Sequence, residues 1–280
     1  VEVAYVDVQR AQAALQVAEE RLALARAVAA TVQRRVEAAR DPLLASSRSN
    51  TLVADAEIAV ENARLADAAA RDHLATYWGG ASNFQVDTST FSAVSGLFVD
   101  SASLAPEIAV ARAAQQEAEA RIAVERARST LDPTVSAGLR YFRDGSEAAF
   151  VVGSSIPLAV NDDNSGAVAR ASAESSRARL EAEVLQRNIE RQAASARSQM
   201  NIAAREIVAI DERLIPAAEE AVERARDGYN QGGFSYLDVL DAQRVLSTAR
   251  LQRISALDSY HRARTALKRL LGGYAAGAAQ

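Results

Sequence analysis

The sequence predicts a mainly α protein built from long antiparallel helical hairpins or coiled coils, with a single β-hairpin. Three observations predict this fold class. Alanine, the best helix former, is the commonest residue; apolar residues recur at helical spacing over long stretches; and aromatic residues make up only 5% of the chain. Few bulky side chains favour helices that pack closely through small residues over a large globular core.

Helical periodicity predicts a first helix over residues 2–38. In the next segment, "RDPLL", Asp41 is a candidate N-cap and Pro42 suits a first helical turn, so a second helix should begin there. It is expected to end at Gly79-Gly80, where two glycines interrupt the pattern. The first 80 residues therefore predict a helical hairpin.

The middle of the chain contains the one convincing strand pair in the sequence. "TVSAGLRYF" alternates apolar and other residues, the Asp-Gly of "RDGSE" indicates a tight turn, and "AAFVVGSSIPL" returns as a second strand. Strands of about ten residues suit a membrane barrel. A soluble β ornament remains open as the alternative.

Helical periodicity resumes from about residue 166 to 231, where Pro216 should break or kink the helix, and again from Ser235 to about Leu271. The predicted segments are 1–80 (first-repeat hairpin), 81–103 (linker), 104–133 (helix), 134–158 (β-hairpin), 159–273 (second-repeat long helices) and 274–280 (tail).

The chain also repeats itself. Residues 35–80 can be laid on residues 228–273 without a gap. The identical pairs include Leu44 and Leu237, Ala56 and Ala249, Ala63 and Ala256, Ala70 and Ala263, Leu74 and Leu267, Gly79 and Gly272, and Gly80 and Gly273. The sequence therefore predicts two copies of one helical hairpin.

The stretch "GYNQGGFSYLDVLDAQ" predicts the turn of the second hairpin at Gly232-Gly233. One helix should end there in the left-handed conformation that glycine allows, and Ser235 should cap the next helix. Asp238 and Asp241, three residues apart, should share one helix face. Because "SYLD" is also a capping pattern, a structural role for Asp238 stays open.

The sequence contains no recognisable catalytic or cofactor-binding motif. There is no cysteine, and no Ser-His-Asp set, HExxH or phosphate loop is found, so the prediction is a non-enzyme without cofactor or bound metal. His73 and His261 are expected to be packing or surface residues. The net charge of −4, with acidic and basic residues interspersed, argues against nucleic acid as a partner.

Taken together, the C-terminal motif "GYNQGGFSYLDVLDAQRVL", its weaker copy "RRVEAARDPLLASSRSN" and the strand pair resemble the TolC-like outer-membrane factors, most closely their heavy-metal (CzcC/CusC) branch. The resemblance implies a trimeric passive duct through the periplasm and outer membrane of a Gram-negative bacterium. Its implied partners are outer-membrane lipid, a periplasmic adaptor and a resistance-nodulation-division pump.

The same resemblance implies roles for the second turn. Its implied tip-turn and latch residues are Tyr229, Gly232, Gly233, Phe234 and Ser235, with Phe234 standing where the family has a basic residue. Asp238 and Asp241 would line the narrow pore entrance, where threefold symmetry would turn each carboxylate into an acidic ring that favours cations.

Two further expectations accompany this hypothesis. The first residues already have a mid-helix pattern and the first repeat lacks a β-hairpin, so the chain is expected to be part of a longer protein. The alternatives are a periplasmic adaptor or coiled-coil scaffold, which should carry a lipoyl-like β domain, and a lipid-surface binder, whose helices should have larger apolar faces.

Overall fold

The computed structural model describes residues 1–94, 105–128, 130, 132–142, 147–156 and 164–272. The helices in these ranges are α1 (Glu2–Glu37), α2 (Leu43–Ala75), α3 (Ser89–Ser92), α4 (Pro106–Arg128), α5 (Ser165–Ala209), α6 (Ile215–Gln231) and α7 (Tyr236–Leu270). A π-helical segment (Ile210–Leu214) joins α5 to α6, and the strands are β1 (Thr134–Phe142) and β2 (Glu147–Ser155). The predicted fold class is confirmed.

The contacts divide the chain into two units. The first contains α1, α2 and α3 together with the end of α5, the π-helical segment, α6 and α7. The second contains α4, the two strands and the beginning of α5. The candidate site described below lies wholly within the first unit.

Helices α1 and α2 form the first hairpin, and their ion pairs show that they run antiparallel. Glu19 of α1 bonds to Arg64 of α2 at 3.4 Å, whereas Arg26, further along α1, bonds at 2.7 Å to Glu57, which comes earlier in α2. These pairs are exposed, so they fix the register more than they add stability.

The second hairpin is formed by α6 and α7. Pro216 was expected to break or kink the long helix, and the structure keeps the chain helical through it by widening the preceding turn into the π-helical segment. A proline ring removes one backbone hydrogen bond and crowds the carbonyl four residues earlier, here that of Glu212, so a wider turn at this point relieves the conflict.

Each hairpin has an ion pair at the same repeat positions. Arg26 in α1 contacts Glu57 in α2 at 2.7 Å, and at the equivalent repeat positions Glu219 in α6 contacts Arg250 in α7 at 2.9 Å. The two contacts have the same place in each hairpin but opposite polarity. The second hairpin therefore repeats the geometry of the first with its charges exchanged.

The two hairpins join through an apolar core between α1, α7 and the end of α5. Tyr260 and Leu257 of α7 are almost fully buried there, beside Met200 of α5. The described part of the linker also packs on this core, with Phe91 buried and His261 Nε2 lying 2.8 Å from its carbonyl oxygen. The described part of the linker therefore contacts this core through Phe91.

The two strands form an antiparallel hairpin in which Leu139 faces Phe150 and Val135 faces Ser154. Because side chains alternate along a strand, Val135, Leu139 and Phe150 share one face. The other face is mixed and carries Thr134, Ser136, Arg140, Phe142 and Val151. Leu139 is 81% exposed and Phe150 68% exposed. Among the described residues of the second unit, none covers this face.

Two sequence predictions about helix ends were wrong. Asp41 does not cap α2: Pro42 occupies the N-cap, with no side-chain capping bond, because the Asp41 carboxylate bonds elsewhere. Helix α2 ends at Ala75, before the expected end, and a short turn leads to Gly79 at φ +65°. Predictions that concern residues 95–104, 143–146, 157–163 and 273–280 lie outside the described residues.

Candidate functional site: the two hairpin turns

The second hairpin turn ends α6 with a glycine C-cap. Gly232 has φ +84°, its N–H bonds to the Tyr229 carbonyl at 3.1 Å, and the Gly233 N–H bonds to the Gly228 carbonyl at 2.8 Å. These two bonds define a Schellman motif, which requires the left-handed conformation at one residue. Gly232 is therefore the glycine that the turn needs, and Gly233 has an ordinary φ with room for a side chain.

Gly228 has a different reason for lacking a side chain. The Phe234 ring folds back over Gly228, and a Cβ atom there would overlap the ring. Phe234 is nevertheless 51% exposed, so its ring covers the glycine on one side and meets solvent on the other. The turn thus presents an exposed aromatic ring where the resemblance implied a basic residue.

Helix α7 begins with the predicted cap at Ser235. The Ser235 N–H donates to Asp238 Oδ2 at 2.8 Å, and the Asp238 N–H donates to Ser235 Oγ at 3.4 Å, which completes a capping box. The hydrogen bond from the Ser235 side chain, then that from its backbone, lower the pKa of Asp238. The carboxylate is therefore ionised at neutral pH while it remains exposed to solvent.

Asp241 lies one turn further along α7 and is also exposed. It lines a groove of about 700 Å³ that lies between α7 and the first hairpin, where Arg21 and Asp55 form part of the opposite wall. The two predicted acids therefore have different roles in the monomer. Asp238 completes the capping box of α7, and Asp241 adds negative charge to the groove.

The first hairpin turn supplies two residues that contact the second turn. Arg35, in the last turn of α1, bonds to Asp41 through Nε at 3.0 Å and Nη2 at 3.3 Å. Its Nη1 also donates to the Tyr229 carbonyl at 2.8 Å, and its guanidinium lies over the Tyr229 ring, 4.4 Å from the centroid. Tyr229 completes the set by donating its hydroxyl hydrogen to Asp41 Oδ2. We call Arg35, Asp41 and Tyr229 the tip clasp.

The electrostatics of the tip clasp keep Asp41 ionised. Partial burial alone would raise the pKa of Asp41, but hydrogen bonds from Arg35 and Tyr229 and the positive charge of Arg35 outweigh it, and the pKa is lowered. Burial, together with the hydrogen bond to Asp41, raises the pKa of the Tyr229 hydroxyl. At neutral pH the clasp is therefore a carboxylate held between a guanidinium and a neutral phenol.

An apolar cluster lies beneath the clasp and joins the same two turns. Val32 and Ala45 from the first hairpin pack with Ala225, Tyr236 and Val239 from the second. Val32 and Val239 are almost fully buried, so the polar contacts of the clasp lie beside an apolar layer that excludes water. Hydrogen bonds beside an apolar layer are stronger, because less water competes for the donors and acceptors.

The structure brings some of the predicted residues together and not others. Tyr229 lies in the clasp, whereas Asp238 and Phe234 are exposed on the turn, and Asp238 bonds to Ser235 instead. Sequence reasoning missed Arg35 and misassigned Asp41. A signal was present, because "RDPLL" falls on the second turn in the repeat alignment, and a charged pair beside a turn can bind the neighbouring turn.

Of the two histidines, His261 is a packing residue and His73 is a surface residue. His261 is buried, and its ring stacks on Phe91 at 5.3 Å; burial lowers its pKa. His73 makes an edge contact with Tyr77. Across the described ranges, no cluster of three or more His, Cys, Asp or Glu residues could hold a metal ion, and no helix there is long and apolar enough to cross a membrane.

Comparison with solved structures supports the fold. The chain resembles a crystal structure of CusC with a TM-score of 0.80 and 22% identity, over 96% of this chain and 66% of that one. It resembles VceC of Vibrio cholerae with a TM-score of 0.78 and 20% identity, over 97% of this chain and 68% of that one. At this identity the likeness shows a shared fold alone.

Sequence comparison gives the family. The chain is 29% identical over 250 residues to the cobalt-zinc-cadmium resistance protein CzcC of Cupriavidus metallidurans, covering 87% of this chain. It spans 60% of the length of that protein. Residues 97–273 match the family described as outer membrane efflux protein. With more than half of its length matched, the chain belongs to the outer membrane efflux protein family.

Proposed function

We propose that this chain forms the periplasmic wall, and part of the outer-membrane segment, of a passive efflux duct in a Gram-negative bacterium. The observation that carries the proposal is the pair of repeat-related antiparallel hairpins joined tip to tip by the clasp. Long hairpins joined side by side form a curved wall, and several copies of such a wall can enclose a channel. Nothing in this mechanism requires an enzymatic step.

The β-hairpin supports a place in the outer membrane. Its strands have nine residues each, close to the length that crosses a bilayer when tilted. One face carries Leu139 and Phe150, both exposed. The other carries the polar Ser136 and Arg140 together with Phe142 and Val151, so it shows in part the alternation expected between lipid and an aqueous lumen. Strands from further copies, and from a longer protein, would be needed to close a barrel.

The tip clasp provides a mechanism for gating. Arg35 and Asp41 belong to the first hairpin and Tyr229 to the second, so the two tips can separate only when these contacts break. An iris-like opening of the tips is a rigid-body movement of packed helices, a common form of switching. The closed state is the one that the contacts described here stabilise.

The cargo and the partners follow from the family and the relative. CzcC is named for resistance to cobalt, zinc and cadmium, so we infer that metal cations pass through this duct. Asp238 and Asp241 would form acidic rings at its entrance in a homotrimer and would favour cations over anions. A periplasmic adaptor and a resistance-nodulation-division pump would supply the cargo and the energy.

Ion conductance in a planar bilayer tests the duct. The purified longer protein that carries this chain should conduct with a preference for cations, and the double variant Asp238→Asn with Asp241→Asn should shift the reversal potential towards zero. Asn keeps a capping oxygen, so helix α7 should still begin normally. Asp72→Asn, an exposed acid remote from both turns, is the matched control and should leave selectivity unchanged.

The two possible failures have separate meanings. If the longer protein that carries this chain produces no conductance, the duct itself is contradicted. If it conducts and the double variant selects cations as well as the wild-type chain does, only the acidic rings are contradicted and the duct stands.

A further inference from the structure

The second hairpin is packed in two separate regions. The core between α1, α7 and the end of α5, which we call the main core, includes Ile210 and Ile254, its members nearest to the turn on the two sides of this hairpin. Closer to the turn, Ala218 and Val222 of α6 form a small separate cluster with Leu246 of α7. The main core therefore ends well before the tip.

The first hairpin shows the same interruption. On α1, Val17 packs on the main core, and Val28 belongs to the cluster beneath the clasp. Between them Leu24 lines the groove of about 700 Å³, whose other wall includes Leu240 and Leu251 of α7. Side chains that do not interlock across a groove lose little packing when the helices shift. The tip can therefore move against the first hairpin more easily than the main core can.

The π-helical segment lies at the level where the main core ends. Its first residue, Ile210, is still a core residue, and Pro216 follows the segment closely. Hydrogen bonds in a π turn span five residues instead of four, and Pro216 has no N–H to add to the ladder. Fewer regular backbone bonds hold the chain here than in the flanking helices, so bending should concentrate at this segment.

One ion pair holds the segment to α7. Arg253 donates to Asp211 through Nε at 2.6 Å and through Nη2 at 3.1 Å. Two parallel bonds fix the relative orientation of a guanidinium and a carboxylate. The two side chains are 28% and 36% exposed, so water and salt screen this pair less than a fully exposed one. Because Arg253 precedes Ile254 of the main core, the pair attaches the π-helical segment to the anchored part of α7.

We propose that the π-helical segment is the hinge about which α6 and the second turn move during opening, and that Asp211 and Arg253 are positioning residues that hold this hinge in its closed shape. Bending at the segment carries Tyr229 away from its partners in the tip clasp while the main core stays packed. The single helix α7 follows by bending smoothly along its length. The inference rests on the proposed function, and it gives the place where the chain bends.

Distances between the two tips test the hinge without any need for conductance. The chain has no cysteine, so Ser47→Cys with Asn230→Cys places spin labels at two exposed tip positions of the longer protein that carries this chain. Dilution with unlabelled protein restricts the signal to pairs within one chain. Asp211→Asn should raise the population of long tip-to-tip distances about fivefold, because one well-formed ion pair is lost.

The controls separate the hinge from general stability. Asp7→Asn, which removes an ion pair to α7 about 14 Å further along that helix, should leave the tip distances unchanged. Asp211→Arg with Arg253→Asp should restore the wild-type distances, which a loss of packing at these positions would not allow. A label pair on the main core, Arg10→Cys with Ser259→Cys, should keep its distance in every variant.

Removing the extra residue of the π turn should have the opposite effect. Deleting Glu212 together with Pro216→Ala allows the segment to close as regular α-helix while the flanking residues keep their orientation. Long tip-to-tip distances should then be largely lost, and a conducting duct should stay closed.

The outcomes distinguish this inference from the duct itself. Tip distances that Asp211→Asn leaves unchanged overturn the role of the ion pair, and a folded deletion variant that opens as readily as wild type overturns the hinge. Either result in a conducting protein removes this inference alone. Distances that respond as expected in a protein without conductance support the hinge and contradict the duct.

Discussion

The two hairpin turns have the same backbone path but different chemistry. At equivalent repeat positions Ala39 (φ +52°) and Gly232 (φ +84°) both adopt the left-handed conformation, each within a Schellman motif. The second turn uses glycine and a capping box, whereas the first uses a strained alanine and no side-chain cap. The comparison shows that the second turn is built for local stability and the first for contact with its neighbour.

The two turns differ in the partners of their carboxylates. The carboxylate of Asp238 serves its own helix, while that of Asp41 leaves its helix uncapped and binds Arg35 and Tyr229. With its carboxylate held by Arg35 and Tyr229, Asp41 makes no capping bond to α2. The first turn is therefore less stable locally and gains its stability from the clasp.

Removing the charge of the first turn should have the largest effect. Asp41→Ala leaves the Arg35 guanidinium and the Tyr229 hydroxyl without their partner in a mostly dry site, and should lower the free energy of unfolding by about 2–3 kcal/mol. Chemical denaturation measures the change. Asp55→Ala, which removes an exposed ion pair with Arg21, is the control and should cost less than about 1 kcal/mol.

The effect of Asp41→Ala should depend on pH in a defined direction. The pKa of Asp41 is lowered in the folded state, so the clasp contributes fully above the ordinary carboxyl pKa of about 3.9 and is lost as pH falls through the folded value. Wild type and variant should therefore converge in stability below about pH 4. Equal stability of the two at pH 7 would contradict the clasp.

Removing one hydroxyl from the second turn should have an intermediate effect. Tyr229→Phe keeps the ring under the Arg35 guanidinium but loses the bond to Asp41, at a cost of about 1.5 kcal/mol, and should raise the open probability of the duct in bilayers. Tyr236→Phe, a neighbouring buried tyrosine whose pKa burial raises to about 12, is the control. Identical gating in the two variants would show that Tyr229 does not latch the tips.

Exchanging the residues at the left-handed positions should give the smallest effects, with opposite signs. Gly232→Ala should cost about 1 kcal/mol because a Cβ is strained there, while Ala39→Gly should gain about 0.5 kcal/mol. Thermal unfolding measures both. Gly233→Ala is the control, since its Cβ would meet only ordinary contact. Equal responses at positions 232 and 233 would show that the turn does not depend on one glycine.

Much of the local structure could be predicted because its causes are close together in the sequence. The cap at Ser235, the glycine turn, the strand pair and most helix bounds depend on residues within a few positions of one another. The widening of the helix before Pro216 was predicted only as a break or kink, because sequence rules identify the lost bond without saying how the chain relieves it.

The sequence by itself determined the helical hairpins, their repeat and the second turn, since alanine propensity, heptad spacing and capping act over one or two helical turns. Only the tertiary structure decided the use of Asp41 and Arg35. Their partner, Tyr229, is 188 residues beyond Asp41 in the chain. Local rules assign a polar residue to the nearest backbone group, but a carboxylate binds more strongly to a guanidinium and a phenol that folding brings beside it.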